Sequence, residues 1–158
     1  MADYEHEESQ EQPERLFELS KAEELLPQLH SLLTGAREKK QRTDTIEREF
    51  SQVRNRILVY GGIVPPYAYL AELKAERDGG LNAIRQALAE IEQTGCVVKD
   101  LDQGLVDFPA MVNDEQVYLC WKLGEKCIGF WHRMDEGFSG RKPLDPSTQG
   151  PGRGRKPN

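Results

Sequence analysis

Cys120, Cys127 and His132 are the residues of this sequence best suited to chemistry. Two thiols and an imidazole are soft donors for a transition metal, with Asp107 or Glu125 as a fourth ligand. Their spacing contains neither Cys-x-x-Cys nor a paired histidine, so it matches no standard zinc pattern. No metal and no cofactor are expected on that ground. Cys120 is also the candidate nucleophile, and a thiolate needs a base or a positive field beside it. Lys122 and Arg133 are the nearby cations, while Asp107 opposes ionisation. Asp107, Lys122, Arg133 and Arg141 can together form an ion-pair network or hold a small anion, aided by backbone amides at Gly137 and Gly140. The simplest structural alternative pairs Asp107 with Arg141 and pins the C-terminal loop to a sheet. Tyr118 and Trp131 add aromatic surface, read first as a cross-strand packing pair. The candidate ligand-binding set is therefore Asp107, Tyr118, Cys120, Lys122, Trp131, His132, Arg133 and Arg141. No catalytic residue is assigned.

Strands must position these residues, because the pattern after Gly95 is alternating rather than helical. Cys96–Lys99, Leu105–Val112, Val117–Lys122 and Cys127–His132 read as four short strands. Asn113-Asp114 and Gly124-Glu125 each suit a two-residue hairpin turn. The first turn sets Phe108 opposite Leu119 and Asp107 opposite Cys120. The second sets Cys120 opposite Gly129 and Tyr118 opposite Trp131. Alternation then places Val106, Phe108, Ala110, Val117, Leu119, Trp121, Ile128, Phe130 and His132 on an apolar face. Asp107, Pro109, Tyr118, Cys120, Lys122, Cys127, Trp131 and Arg133 share the opposite, mixed face. This register separates His132 from both cysteines, which weighs against a metal site and against cysteine catalysis alike.

Upstream, two long helices are expected. Ser20-Lys21-Ala22-Glu23 reads as a capping box opening the first. Leu25, Leu26, Leu29, Leu32, Leu33 and Ala36, then Ile46, Phe50, Val53 and Ile57, form its apolar stripe, with a polar gap between. Pro27 should kink it. His30 reads as a half-buried structural histidine. Gly61-Gly62 ends the helix and Pro65-Pro66 opens the second, which runs to Gly95 and bends or weakens at Gly79-Gly80. A short connection makes the pair antiparallel. No nucleotide-binding loop, sustained heptad run or internal repeat is visible.

The whole is an α+β fold: a helical hairpin (20–95) on a small three- to four-stranded antiparallel meander (96–133), followed by a C-terminal loop (134–144) in which Phe138 tucks onto the core. One domain spans 16–144 of the 158 residues. Residues 1–15 are an acidic tail and 145–158 a basic Gly/Pro-rich tail, both expected to be disordered. Charged residues make up 30% and the net charge is −6, which argues against wholesale binding to nucleic acid or anionic membrane, except weakly through the basic tail. Three cysteines without regular spacing indicate a reducing compartment, hence the cytoplasm. The acidic N-terminus does not read as a signal peptide, and no run is long enough to cross a membrane.

Gly104-Leu105-Val106-Asp107-Phe108-Pro109-Ala110, Leu119-Cys120-Trp121-Lys122-Leu123-Gly124-Glu125, Phe130-Trp131-His132 and Gly137-Phe138-Ser139-Gly140-Arg141 carry a family resemblance. With Leu19–Leu33 and Val98-Lys99-Asp100-Leu101, they resemble the uncharacterised prokaryotic family termed domain of unknown function 2203, over about residues 17–144. The resemblance implies an intracellular bacterial protein and assigns no activity. Two functions are consistent with these readings. The first is a non-enzymatic binding or assembly module, a homo-oligomer and most simply a homodimer, using the mixed sheet face and the projecting helix ends. The second is a small-molecule or anion site, enzymatic or not, on the sheet face and C-terminal loop. A flat apolar face would favour the first, and a polar cleft the second.

Overall fold

The computed structural model describes residues 16–62 and 64–144. Both expected tails lie outside these residues. Helix α1 covers Leu19–Glu24, α2 Leu26–Tyr60 and α3 Tyr67–Gln93. Strands β1 to β5 cover Val97–Asp100, Leu105–Val112, Glu115–Lys122, Phe130–Arg133 and Lys142–Pro143, with a short 3-10 turn at Phe138–Gly140. The strands form one antiparallel sheet in the order β1-β2-β3-β4-β5. The α+β architecture is as expected, with one more strand than the sequence suggested. None of the helices is long and apolar enough to cross a membrane.

Pro27 breaks the first helix rather than merely bending it. The chain leaves helical pairing at Leu25 and restarts with the proline in the first turn of α2, where its missing N–H costs nothing. The capping box does not form, since α1 begins at Leu19 with no side-chain cap. Glu23 instead accepts a hydrogen bond from the backbone N–H of Ile128 at 3.3 Å, tying α1 to the β3–β4 loop. His30 is exposed, at the edge of the α2 stripe that buries Leu29 and Leu33, and not half-buried as expected. α3 continues through Gly79-Gly80. Gly80 is buried where the two helices meet, and a Cβ there would lie 3.1 Å from the Thr43 hydroxyl, so the glycine permits the close approach.

The core lies between the helices and one sheet face. Ala22, Leu26, Leu29, Leu33 and Ile91 pack against Val106, Phe108, Ala110, Leu119 and Trp121. Phe17 joins this core edge-on to Phe108, with ring centroids 5.5 Å apart, and its N–H donates to the Pro109 carbonyl at 2.7 Å.

The β2–β3 hairpin has the expected register: Phe108 faces Leu119 and Asp107 faces Cys120. Asn113 and Asp114 have φ of 51° and 63°, the backbone of a two-residue primed turn whose twist matches its strands. The β3–β4 register differs by one residue from expectation. Cys120 faces Phe130 and Tyr118 faces His132, with Leu119 opposite Trp131. The cause is the connection. Gly124-Glu125 does make a tight turn, with Glu125 N–H donating to the Lys122 carbonyl at 2.9 Å, but pairing does not resume at once. Cys127 and Ile128 belong to the loop, and β4 starts only at Phe130. A one-residue slip exchanges the faces of every β4 side chain. Phe130 and His132 therefore leave the helix-facing side, and Trp131 joins it, packing on the core.

Candidate functional site

The corrected register brings together what the sequence reading had kept apart. Asp107 on β2, Cys120 on β3 and His132 on β4 share the outer sheet face and are 2%, 1% and 2% exposed. One ligand-type atom from each lies within 4.8 Å of the others. His132 Nε2 is 3.0 Å from Asp107 Oδ2, and His132 Nδ1 is 2.8 Å from the carbonyl oxygen of Arg133. A carbonyl can only accept, so Nδ1 carries a proton and donates it. Nε2 then faces a carboxylate, and the Asp107–His132 pair holds one further proton between its two atoms. The Cys120 thiol donates to the same carboxylate.

Burial first, and the Asp107 carboxylate second, push the Cys120 thiol up to about 12, with Arg141 opposing. Cys120 is thus a neutral thiol, not a poised nucleophile. Its raised folded value sets the direction of a pH effect. The unfolded chain, with a thiol near its ordinary value of 9.0, loses the proton first. Stability from this group is complete below about pH 9 and falls as pH rises towards about 12. Wild-type protein should lose more urea resistance than Cys120→Ala between about pH 8 and about pH 11. Equal losses would mean the thiol is not linked to folding. In the native protein, iodoacetamide should modify exposed Cys127 well before Cys120.

The segment after β4 roofs the outer face. A cavity of about 290 Å³ lies between roof and sheet, lined by Lys99, Asp100, Leu105, Asp107, Cys120, Glu136, Gly137 and Phe138. Arg141 fixes the roof. Its guanidinium stacks between Phe130 and Phe138, at 3.7 Å and 4.7 Å from the ring centroids, and donates to Glu125 Oε1 at 2.6 Å. The Arg141 Nε is buried with no hydrogen-bond partner among the described residues. Glu125 is the hinge of this arrangement. Its other carboxylate oxygen accepts from Lys122 N–H at 2.9 Å, and its carbonyl accepts from the Trp121 indole N–H at 2.9 Å. Lys142, at 2.6 Å, and then the Arg133 N–H hold the Glu136 carboxyl below the ordinary range.

Residues 15–144 match the sequence profile of an uncharacterised conserved protein family. The chain belongs to that family, DUF2203. No curated protein and no solved structure matches the chain.

Several expectations are revised in this DUF2203 chain. Asp107 pairs with His132 rather than Arg141, and the acid that pins the C-terminal loop is Glu125. Tyr118 lies beside His132, with centroids 5.5 Å apart, and not beside Trp131. Trp131 faces the helices, with the Lys142 ammonium 4.9 Å from its ring. Arg133 is exposed on the helix side, 4.0 Å from Glu115, and contributes only backbone groups to the site. The four-residue cluster read as an anion site therefore does not converge. Lys122 remains on the outer face, 5.7 Å from the Phe138 ring. Phe138 roofs the cavity and is 38% exposed, so it does not tuck onto the core. Cys127 is exposed and distant in role from Cys120. Sequence reasoning missed Lys99, Asp100 and Glu136, although a glycine-punctuated loop carrying acids after β4 was a usable signal for Glu136.

Proposed function

We propose that this DUF2203 protein binds a small polar molecule in the cavity between the outer sheet face and the 134–144 roof. The observation that carries this reading is the form of the face: a roofed cleft in which Lys99, Asp100, Asp107 and Glu136 add polar groups to an apolar lining, not a flat apolar patch. The wall carries three carboxyl groups, Asp100, Asp107 and Glu136, beside the Lys99 ammonium. Asp107 is paired with His132 and Glu136 with Lys142. The preference for a cation over the anion first considered therefore rests on the oxygen acceptors the wall offers, Asp100 foremost, and not on an excess of negative charge. Three free cysteines support a reducing, cytoplasmic setting.

Chemical-shift mapping on the full chain tests this. Small primary amines should move the amides of Lys99, Asp100, Glu136 and Gly137, small carboxylates and phosphate should not, and Asp100→Asn should weaken amine binding about tenfold. Preference for the anions, or no response at these amides, would refute the reading.

Assembly remains a second reading, favoured by a separate observation. Leu58, Val59, Tyr60, Val64 and Tyr67 at the far end of the hairpin are all more than 70% exposed. Self-association there would make the amides of these residues shift with protein concentration in the same spectra.

A further inference from the structure

We propose that Asp107, Cys120 and His132 form a binding site for one divalent transition-metal ion of the zinc type, with its open coordination position facing the cavity. This deepens the reading of the cavity as a cation site and names its innermost occupant.

The donor set is one thiolate, one imidazole nitrogen and one carboxylate oxygen, the combination such ions take. The three come from adjacent strands of one sheet, so their backbones are held rigidly. A tetrahedral zinc site places its ligand atoms roughly 3.3–3.6 Å apart. Here Nε2 and Oδ2 are already 3.0 Å apart and all three atoms fall within 4.8 Å, so side-chain shifts of about 1 Å complete the site. The outer ligand sphere is also built. Ligating histidines donate their second ring N–H to a carbonyl or carboxylate, which fixes the ring and aims the other nitrogen. His132 does this through Nδ1 to the Arg133 carbonyl, leaving Nε2 aimed at the cluster. Three protein ligands beside a cavity, rather than four in a closed shell, is the arrangement of a site that admits a further ligand. Asp107 and Cys120 themselves line that cavity, and Asp100 and Glu136 add carboxyl groups to its wall beside Lys99.

Charge is conserved on loading. The metal-free cluster holds one proton on the thiol and one between Nε2 and the carboxylate, and is neutral. A divalent ion that displaces both protons meets a thiolate, a carboxylate and a neutral imidazole, and the loaded cluster is again neutral. A buried site strongly disfavours net charge, so exchange of two protons for one divalent cation adds no uncompensated charge to the protein. Loading releases about two protons per ion, and affinity falls as pH falls.

Cobalt(II) chloride titrated into the reduced full-length protein is the test. Expected are one cobalt per chain, visible bands of a four-coordinate ion, sulfur-to-cobalt charge transfer, displacement by zinc chloride, and release of about two protons. Cys120→Ser, checked for native circular dichroism, should abolish the charge-transfer band, and Cys127→Ser should leave it unchanged. His132→Gln should weaken cobalt at least tenfold. Absence of the bands in wild-type protein, their survival in Cys120→Ser, or their loss in Cys127→Ser would overturn the proposal. Amine mapping repeated on chelator-treated protein separates this from the cavity reading. Amines that bind where cobalt fails leave the cavity site standing without a metal, and cobalt that binds where amines fail does the reverse.

Discussion

Replacing His132 by alanine should destabilise the protein by about 3–5 kcal/mol, because it strands a buried carboxylate. Asp107 is 2% exposed, and its described partners are the imidazole and the Cys120 thiol. Without the imidazole the carboxylate, 2% exposed, keeps one weak donor. The reverse substitution is milder. Asp107→Ala should cost about 1–3 kcal/mol, since the remaining imidazole keeps its bond to the Arg133 carbonyl and only one ring nitrogen is left without a partner. The ordering is the informative part, because both changes remove the same hydrogen bond. Urea unfolding of the two variants and of the double variant measures it, and the double variant should be less damaged than the sum of the singles. An Asp107→Ala loss equal to or larger than that of His132→Ala would show that the carboxylate is not the group the pair protects.

Trp121→Ala should cost a similar amount, about 3–5 kcal/mol, for a different reason. Trp121 is the largest of the fully buried side chains, at 1% exposure, and its removal leaves a void between sheet and helices that the surroundings only partly fill. It also does more than fill space. Its indole N–H holds the Glu125 carbonyl, and the Glu125 carboxylate holds Arg141 in the roof. Trp121→Phe separates the two contributions: it keeps much of the bulk, loses the hydrogen bond, and should cost about 1–2 kcal/mol. If the linkage through Glu125 is real, Trp121→Phe also loosens the roof, so limited proteolysis should cut near residues 136–141 faster than in wild type. A variant as stable as wild type with an unchanged cleavage pattern would remove Trp121 from that chain of contacts.

How much was legible in the sequence depended on the kind of connection. The β2–β3 register could be read because Asn113-Asp114 is a two-residue turn with residues that tolerate positive φ, and such a turn leaves one way to pair the strands. The β3–β4 register could not. Gly124 announced a turn correctly, at φ 103°, but nothing in Lys126-Cys127-Ile128-Gly129 says that pairing waits until Phe130. Alternation then assigns faces wrongly with full internal consistency, since a shifted pattern alternates as well as the true one. Phe130 and Trp131 are both large and apolar, so hydrophobicity could not break the tie. That single residue separated His132 from Asp107 and Cys120. The β5 strand was invisible for another reason: Lys142–Pro143 is too short for a period, and its pairing depends on where β4 ends. The capping box was a sound local pattern overridden by tertiary demand, with Glu23 used by Ile128 instead.

The roof is spliced between two strands of the sheet it covers. β4 leads into it and β5 leads out, and the return is held by the pairs Phe130–Pro143 and Trp131–Lys142 and by Leu144 N–H donating to the Gly129 carbonyl at 2.8 Å. Pro143 offers no N–H, so this seam is thin. Lifting the roof off the sheet would therefore fray an edge strand rather than swing a loop. Such fraying is a local opening far cheaper than global unfolding, so the roof is the part of the sheet's cover that opens first.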